Sequence, residues 1–369
     1  QVLIQLDELL SESIGMHQIS DVSLGLLLSG GVDSSTIAFY MHKLGGSPTA
    51  FGIGFDVEDE WYNEMPDARM VAELCSMELH EEIVHSDVWE LLPQLMWFYD
   101  EPFSDGSMFP SYMVSQLARK HMKVALGGEG GDELFAGYNR YFDAPHQVVP
   151  QSFLSLIRTS LGLAVAHKET VEYQRGMHPF FEQADLRGLF HPDLRDEIPD
   201  CGEWFLDKYY RADLPDPKKW QLLDLMTILP EQYLTKIDRA SMAHSLEIRV
   251  PFLDKPVVEY VMSLPGEVYL RERDKKYLLK KLMGGRLPER ILNKRKRGFS
   301  VPMDHFWNED VMLDHILNGP GIESGLFRRD YVLKVHQQRN AVALHRLWQL
   351  AIFDAWYSRW GTFSKSYRT

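Results

Sequence analysis

The feature that most constrains this chain is the run Leu24 to Leu28, which stops abruptly at Ser29-Gly30-Gly31 and gives way to residues of helical composition from Ser34 to Leu44. Strand, glycine turn and helix in that order predict a parallel sheet covered by helices, because parallel neighbours need crossover connections. Further strands are expected at Thr49 to Phe55, at Glu82 to Val84 with its neighbours, and at Val124 to Leu126, which runs into Gly127-Gly128-Glu129-Gly130-Gly131. Met65 to Met77, Trp89 to Tyr99 and Ser111 to His121 read as the crossover helices. Beyond about Tyr141 long amphipathic stretches replace the β-branched runs. The expected organisation is therefore an α/β part over 1–141 and a mostly helical part over 142–369, with Phe142 to Asp200 as a variable excursion. The apolar spacing of His345 to Trp360 reads as core packing.

Composition narrows the function classes. Over 369 residues the net charge is -14, which argues against nucleic acid as a partner, since that affinity comes from Lys and Arg neutralising phosphates. No apolar run approaches the roughly 20 residues that cross a bilayer, and Gln1 to Asp7 lacks the basic stretch of a signal peptide. The expectation is a soluble, cytoplasmic protein with no membrane partner. The missing initial methionine points to processing or to a piece of a longer chain. Cys75 and Cys201 lack metal-ligand spacing and read as buried thiols. His80 and His85, flanking Glu81 and Glu82, have the wrong period for two zinc ligands on one face and read as structural or exposed.

Four segments carry chemistry. In Ser29-Gly30-Gly31-Val32-Asp33-Ser34-Ser35, backbone N–H groups and the positive end of the helix dipole suit a polyphosphate. The hydroxyls of Ser29, Ser34 and Ser35 add donors. Asp33 makes sense beside phosphates if it holds Mg2+, which takes oxygen ligands shared with the substrate. On composition alone, an ordinary helix cap through Asp33 or Ser34 accounts for the same residues. The second segment, Gly127 to Tyr138, packs Glu129, Asp132 and Glu133 among five glycines. Dense glycine costs chain entropy and clustered carboxylates repel, so a purely structural turn explains it poorly. Asp132 can complete a metal site with Asp33, and Glu129 can act on a reacting amine. The third, Lys236 to Asp254, reads as a charged helix ending before Pro251, with Lys236 and Arg239 as partners for a carboxylate or phosphate. The fourth, Lys294 to Ser300, reads by composition as a basic loop.

Ser-Gly-Gly-Val-Asp-Ser resembles the pyrophosphate loop of the ATP pyrophosphatases, and together the four segments resemble the asparagine synthetase family, in its order and from Asp21 to about Trp360. The resemblance implies a five-stranded parallel sheet of the PP-loop type joined to a helical lobe, and a homodimer. It implies ATP with Mg2+ as cofactors, aspartate and ammonia as small-molecule substrates, and adenylation of the side-chain carboxylate before ammonia displaces AMP. Leu28, Ile53, Gly127 and Gly128 would surround adenine and ribose. Ser29, Gly30, Gly31, Asp33, Ser34 and Ser35 would hold the phosphates, and Asp33 and Asp132 the metal. Glu129, Lys296 and Arg239 would be catalytic, with Lys296 stabilising the departing pyrophosphate. The Asp100-Glu101-Pro102-Phe103 segment is similar to one that borders the family's substrate pocket, which makes Asp105 and Ser107 substrate candidates beside Lys236.

Two departures stand out. The glutaminase domain with which glutamine-dependent members begin has no counterpart here, so the expectation is free ammonia, or ammonia from a separate or removed glutaminase. The family's frequent Asp-Asp before the third segment is replaced by Glu231-Gln232, which bears on the acceptor. The alternatives are a same-fold enzyme acting on another carboxylate (β-lactam-forming, or amidating a sugar acid of a surface polysaccharide), a nucleic-acid-modifying enzyme with the same loop, or an inactive binding module. The acidic balance argues against the second, and retention of Asp33, Glu129 and Asp132 against the third.

Overall fold

The computed structural model of the chain describes residues 1–46, 48–56, 63–84, 88–143, 183–197, 204–215, 217–269, 274–294 and 309–366, together with Thr170, Tyr173, Phe181 and Arg271. The chain forms two compact units, each assembled from separate stretches: 1–87, 105–142 and 212–303 make the first, and 88–104, 143–211 and 304–369 the second.

The first unit holds the sheet. Its strands are β1 (Leu24–Leu27), β2 (Thr49–Phe55), β3 (Leu79–Val84), β4 (Val124–Leu126) and β5 (Glu247–Arg249), all parallel in the order β3-β2-β1-β4-β5. Around them lie α1 (Val2–His17), α2 (Val32–Lys43), α3 (Met65–Leu74), α4 (Met108–Arg119), α5 (Gly131–Leu134), α6 (Lys218–Met226), α7 (Thr235–Met242), α8 (Lys255–Ser263) and α9 (Tyr277–Met283). Leu26, Ala50, Phe51, Ala125 and Leu126 are fully buried, as expected of strands covered on both faces. Leu6, Leu10 and Ile14 recur along one face of α1 and pack in the same core as Ile37 and Met41 of α2 and Leu279 and Met283 of α9.

The expected α/β sheet with its glycine turn is present, with one correction. Residues 247–249 do not prolong a helix. α7 stops at Met242, and Glu247–Arg249 pairs with Val124–Leu126 as the fifth strand. A three-residue strand has room for only one and a half periods of side-chain alternation, so it leaves no pattern in a charge-rich run.

The strand order places β1 between β2 and β4, so connections leave it toward opposite edges of the sheet. That switch point is where a parallel sheet leaves a crevice beyond its strand ends. Both glycine segments stand there: Ser29-Gly30-Gly31 follows β1, and Gly127 to Gly131 follows β4.

In the second unit, the helix Ala341–Ser366 buries Leu347, Trp348, Leu350, Ala351 and Ile352, in keeping with core packing. The indoles of Trp348 and Trp360 donate to the carbonyls of Ser104 (2.7 Å) and Met96 (2.9 Å).

Candidate active site

The turn after β1 is built by its hydroxyls. Ser29 Oγ and Ser34 Oγ are 3.2 Å apart, the Gly31 amide donates to Ser29 Oγ at 3.3 Å, and the Ser29 amide to Ser34 Oγ at 3.3 Å. Gly30 has φ +71°, and a Cβ there would stand 2.5 Å from the Ala68 amide nitrogen at the start of α3. Only glycine combines that backbone with that approach. Ser35 is fully enclosed behind the turn. Leu28 and Ile53 are buried at the adjoining strand ends, and the Leu28 amide continues the ladder to the Phe51 carbonyl at 2.8 Å.

The two glycine segments touch each other. A Cβ on Gly131 would lie 2.7 Å from the Asp33 carboxyl carbon, and one on Gly128 would be 3.2 Å from Asp33 Cβ. This contact brings Asp132, in the first turn of α5, to the side of Asp33, in the first turn of α2. Both carboxylates meet the same ammonium. Lys276 Nζ pairs with Asp132 Oδ1 at 2.7 Å and with Asp33 Oδ2 more closely still, while the lysine side chain is only 6% exposed. Sequence reading missed Lys276. Its signal was a cation at the start of a helical run, where the dipole disfavours positive charge, and it adopts a left-handed backbone (φ +57°) as the residue preceding α9.

α5 is fixed from behind. Gln221 on α6 donates to the carbonyls of Glu133 (2.9 Å) and Leu134 (3.1 Å), and Tyr138 donates to Glu133 Oε1 at 2.7 Å. Burial, reinforced by the Asp132 charge, pushes the Glu133 carboxyl up to about 7. Asp224 on α6, fully buried, accepts from Arg140 (2.9 and 2.6 Å) and Tyr141 (2.7 Å). The Gln221 bonds fasten α5, which carries Asp132, to α6.

Glu129 folds back over Gly127, where a Cβ would come within 2.2 Å of its Oε2. Burial raises the Glu129 carboxyl above the usual range, against the opposing pull of Lys236. Lys236, in the first turn of α7, donates to Ser107 Oγ at 2.8 Å, and Ser107 donates to Asp105 Oδ1 at 2.6 Å. Arg239 is half-buried one turn further along α7. Lys296 lies outside the described residues, as do His85 and Cys201. Two residues before Lys296, Lys294 pairs with Glu64 (2.9 Å) and Asp67 (3.0 Å), the latter backing onto Gly30. Cys75 is buried, and His80 stacks on His121 and on Phe51, the three rings forming one cluster.

The donor set fits a divalent cation bound together with phosphates. Two carboxylates already converge on one cation, and among the described residues no group of three or more His, Cys, Asp or Glu forms a ligand cage. An ion such as Mg2+, which takes one or two carboxylates and completes its shell with ligand oxygens and water, suits this arrangement.

A family model described as asparagine synthase matches residues 5–358. Glutamine-hydrolysing asparagine synthetase 1 of Bacillus subtilis is 31% identical over 370 residues, covering 94% of this chain and 58% of its own length. A Mycobacterium tuberculosis relative provisionally described as a glutamine-hydrolysing asparagine synthetase is 30% identical over 379 residues, covering 96% of this chain and 57% of its own. An amidase of Penicillium rubens, chyE, is 26% identical over 355 residues, 81% of this chain and 52% of its own. The chain thus spans little more than half the length of the curated relatives it matches. With the parallel sheet, the paired glycine segments and the family match over nearly its whole length, this chain belongs to the asparagine synthase family.

Proposed function

We propose that the chain is an ATP-dependent ligase that forms a carbon–nitrogen bond, adenylating a carboxylate and passing it to ammonia. The observation that carries this reading is the convergence of Asp33 and Asp132 on one cation between two glycine segments at the sheet's switch point. Leu28, Ile53, Gly127 and Gly128 border adenine and ribose. The amides and hydroxyls of Ser29, Gly30, Gly31 and Ser34 face the phosphates, with Ser35 supporting the turn from within. Asp33 and Asp132 hold Mg2+, which when bound offsets charge on the triphosphate and the leaving pyrophosphate.

In the first step a carboxylate oxygen of the acceptor attacks the α-phosphorus and the bond to the β-phosphate oxygen breaks, releasing pyrophosphate. Lys276, and Lys296 from the segment that follows Lys294, stabilise the charge that develops there. In the second step ammonia attacks the acyl carbon and AMP leaves. Glu129 takes the proton that the attacking nitrogen sheds, a task suited to a carboxyl whose hold on a proton is raised by burial. Arg239 and Lys236 face the acceptor side. Residues 1–141 thus supply nucleotide chemistry, while 142–369 contributes the lysines and Arg239.

Aspartate is the acceptor proposed, giving asparagine. A different carboxylate is the second reading, favoured by Gln232, which replaces an acidic residue and bonds Asp105 directly at 3.0 Å. A cytoplasmic location, a homodimer and ammonia from a glutaminase domain or subunit outside this chain belong to the same proposal. Among the described residues no helix is long and apolar enough to cross a membrane. Exchange of labelled pyrophosphate into ATP, measured against a panel of carboxylates, tests the reading. Exchange that depends on aspartate supports it, exchange with another carboxylate selects the second reading, and no acceptor-dependent exchange refutes both.

A further inference from the structure

Away from the nucleotide crevice, the first unit carries a cavity of about 610 Å³ at the start of α1, lined among others by Val2, Glu267, Val268, Arg271, Tyr277 and Lys281. Small-molecule sites typically enclose about 300–1,000 Å³. Val2 and Val268 back onto the core and give the cavity an apolar wall. Its polar side is built around one phenol. Arg271 and Lys281 both donate to the Tyr277 hydroxyl and hold it below the usual phenol range. The guanidinium carbon lies 5.9 Å and the ammonium nitrogen 5.5 Å from the centre of the same ring. Tyr277 and Lys281 stand four residues apart on α9, so their side chains share a face. Two cations drawn to one neutral oxygen repel each other, and the arrangement calls for a counter-charge. The neighbouring Lys280 has one in Asp274, at 2.7 Å. Among the described residues neither Arg271 nor Lys281 pairs with a carboxylate, although acids outnumber bases 53 to 39 in the chain. Glu267 is the one acid among the described residues that line the cavity.

A phenol oxygen that accepts from two cations keeps its own O–H to donate elsewhere, and the guanidinium and ammonium have further hydrogens to give. A ligand here meets three convergent donors beside an apolar wall. A carboxylate brings one negative charge to two cations. A phosphate monoester brings a charge of about −1.5 to −2 at neutral pH, with three acceptor oxygens, and so answers both. We infer that this cavity binds a phosphate monoester with an apolar or aromatic body, its phosphate held by Arg271, Tyr277 and Lys281 and its body laid against Val2 and Val268. The guanidinium matches a phosphate edge with two parallel N–H groups, and the ammonium adds a point charge. None of these residues belongs to the nucleotide crevice, and binding here does not depend on the reaction proposed above. The two sites adjoin along the chain, since Tyr277 follows Lys276, whose ammonium meets Asp33 and Asp132.

Calorimetric titration of the full chain with phenyl phosphate, in a phosphate-free buffer at neutral pH, tests this site. The probe joins a phosphate monoester to a flat apolar ring. Saturable binding at one site per chain is expected, and a Kd no tighter than about 1 mM overturns the inference. Arg271→Ala and Lys281→Ala should each weaken binding about tenfold or more, as the loss of a charge-assisted hydrogen bond implies. Both side chains are exposed, so each variant should melt as the wild type does. Tyr277→Phe keeps the ring, removes only the O–H and should lose less. Undiminished binding in Arg271→Ala and Lys281→Ala overturns the inference. Gly131→Ala, which disturbs the contact between the two glycine segments, should leave the Kd unchanged, and loss of binding there places the ligand in the nucleotide crevice instead. Benzoate carries the same ring with one charge and should bind about tenfold more weakly. Inorganic phosphate, which lacks the body, should also bind more weakly, and benzyl alcohol, which lacks the charge, should give no saturable heat. Benzoate or benzyl alcohol binding as tightly as phenyl phosphate overturns the assignment of a phosphate monoester.

Discussion

Replacing Lys276 by methionine removes the ammonium that Asp33 and Asp132 share while keeping the length of the side chain. The lysine is 6% exposed, Asp33 16% and Asp132 11%, so water cannot readily take over its role. Because both carboxylates reach the same nitrogen, they stand at most about 5 Å apart, which at an effective dielectric of about 20 is a repulsion of about 3 kcal/mol. Breaking a buried pair by deleting one partner costs about 3–5 kcal/mol, and the two routes agree. Urea unfolding of Lys276→Met followed by tryptophan fluorescence should show a loss of about 3–4 kcal/mol at unchanged slope. Millimolar Mg2+ should recover part of that loss in the variant, because a divalent ion bound to the two carboxylates offsets their repulsion. A loss below about 1 kcal/mol with no response to Mg2+ would refute the claim that the aspartates face a common cation.

Three further outcomes are expected. Glu129→Gln should cut amide formation far more than pyrophosphate exchange, by about a hundredfold or more. In the wild type, the raised Glu129 carboxyl makes the amine step rise with pH as the group ionises, and the glutamine variant should lose that limb of the pH–rate profile. Gly131→Ala puts a methyl group 2.7 Å from the Asp33 carboxyl and should separate the two glycine segments, abolishing pyrophosphate exchange while the chain still melts cooperatively. In the second unit, Asp354 is fully buried, accepts from the Gly321 amide at 2.8 Å and is pushed up to about 7 by burial. The folded chain therefore binds a proton that the unfolded chain gives up, and stability falls as pH rises from the unfolded value toward 7, by at most about 1.4 kcal/mol per unit. Asp354→Asn should flatten that slope in melts taken between pH 5 and 8, where pH and buffer are the only variables changed.

What the sequence made legible is local. Leu24 to Leu28 followed by Ser-Gly-Gly needs only neighbouring residues to announce strand, turn and helix, and Gly127 to Tyr138 breaks so many folding preferences that function is the simpler account. Lys276 was not legible. It comes to Asp33 across 243 residues, and its only trace is a cation at the wrong end of a helix. The partners of Asp105 were not legible for the same kind of reason. A carboxylate in a loop shows nothing in sequence of the partners that meet it in the fold, Ser107 at two residues' distance and Gln232 at 127. β5 escaped notice because three residues give no periodicity, and its place is set by pairing to β4. Strand neighbours and ion-pair partners are properties of the closed fold, so single-chain patterning carries them weakly.

The most direct measurement follows an oxygen atom. The acceptor identified by the exchange panel is supplied with its carboxylate labelled with heavy oxygen, the chain is given ATP, Mg2+ and ammonia, and the nucleotide and phosphate products are separated by mass. Adenylation transfers one labelled oxygen to AMP and leaves pyrophosphate unlabelled. Label found in inorganic phosphate beside ADP would mean attack at the γ-phosphorus, and would contradict the roles given to the two glycine segments and their paired aspartates.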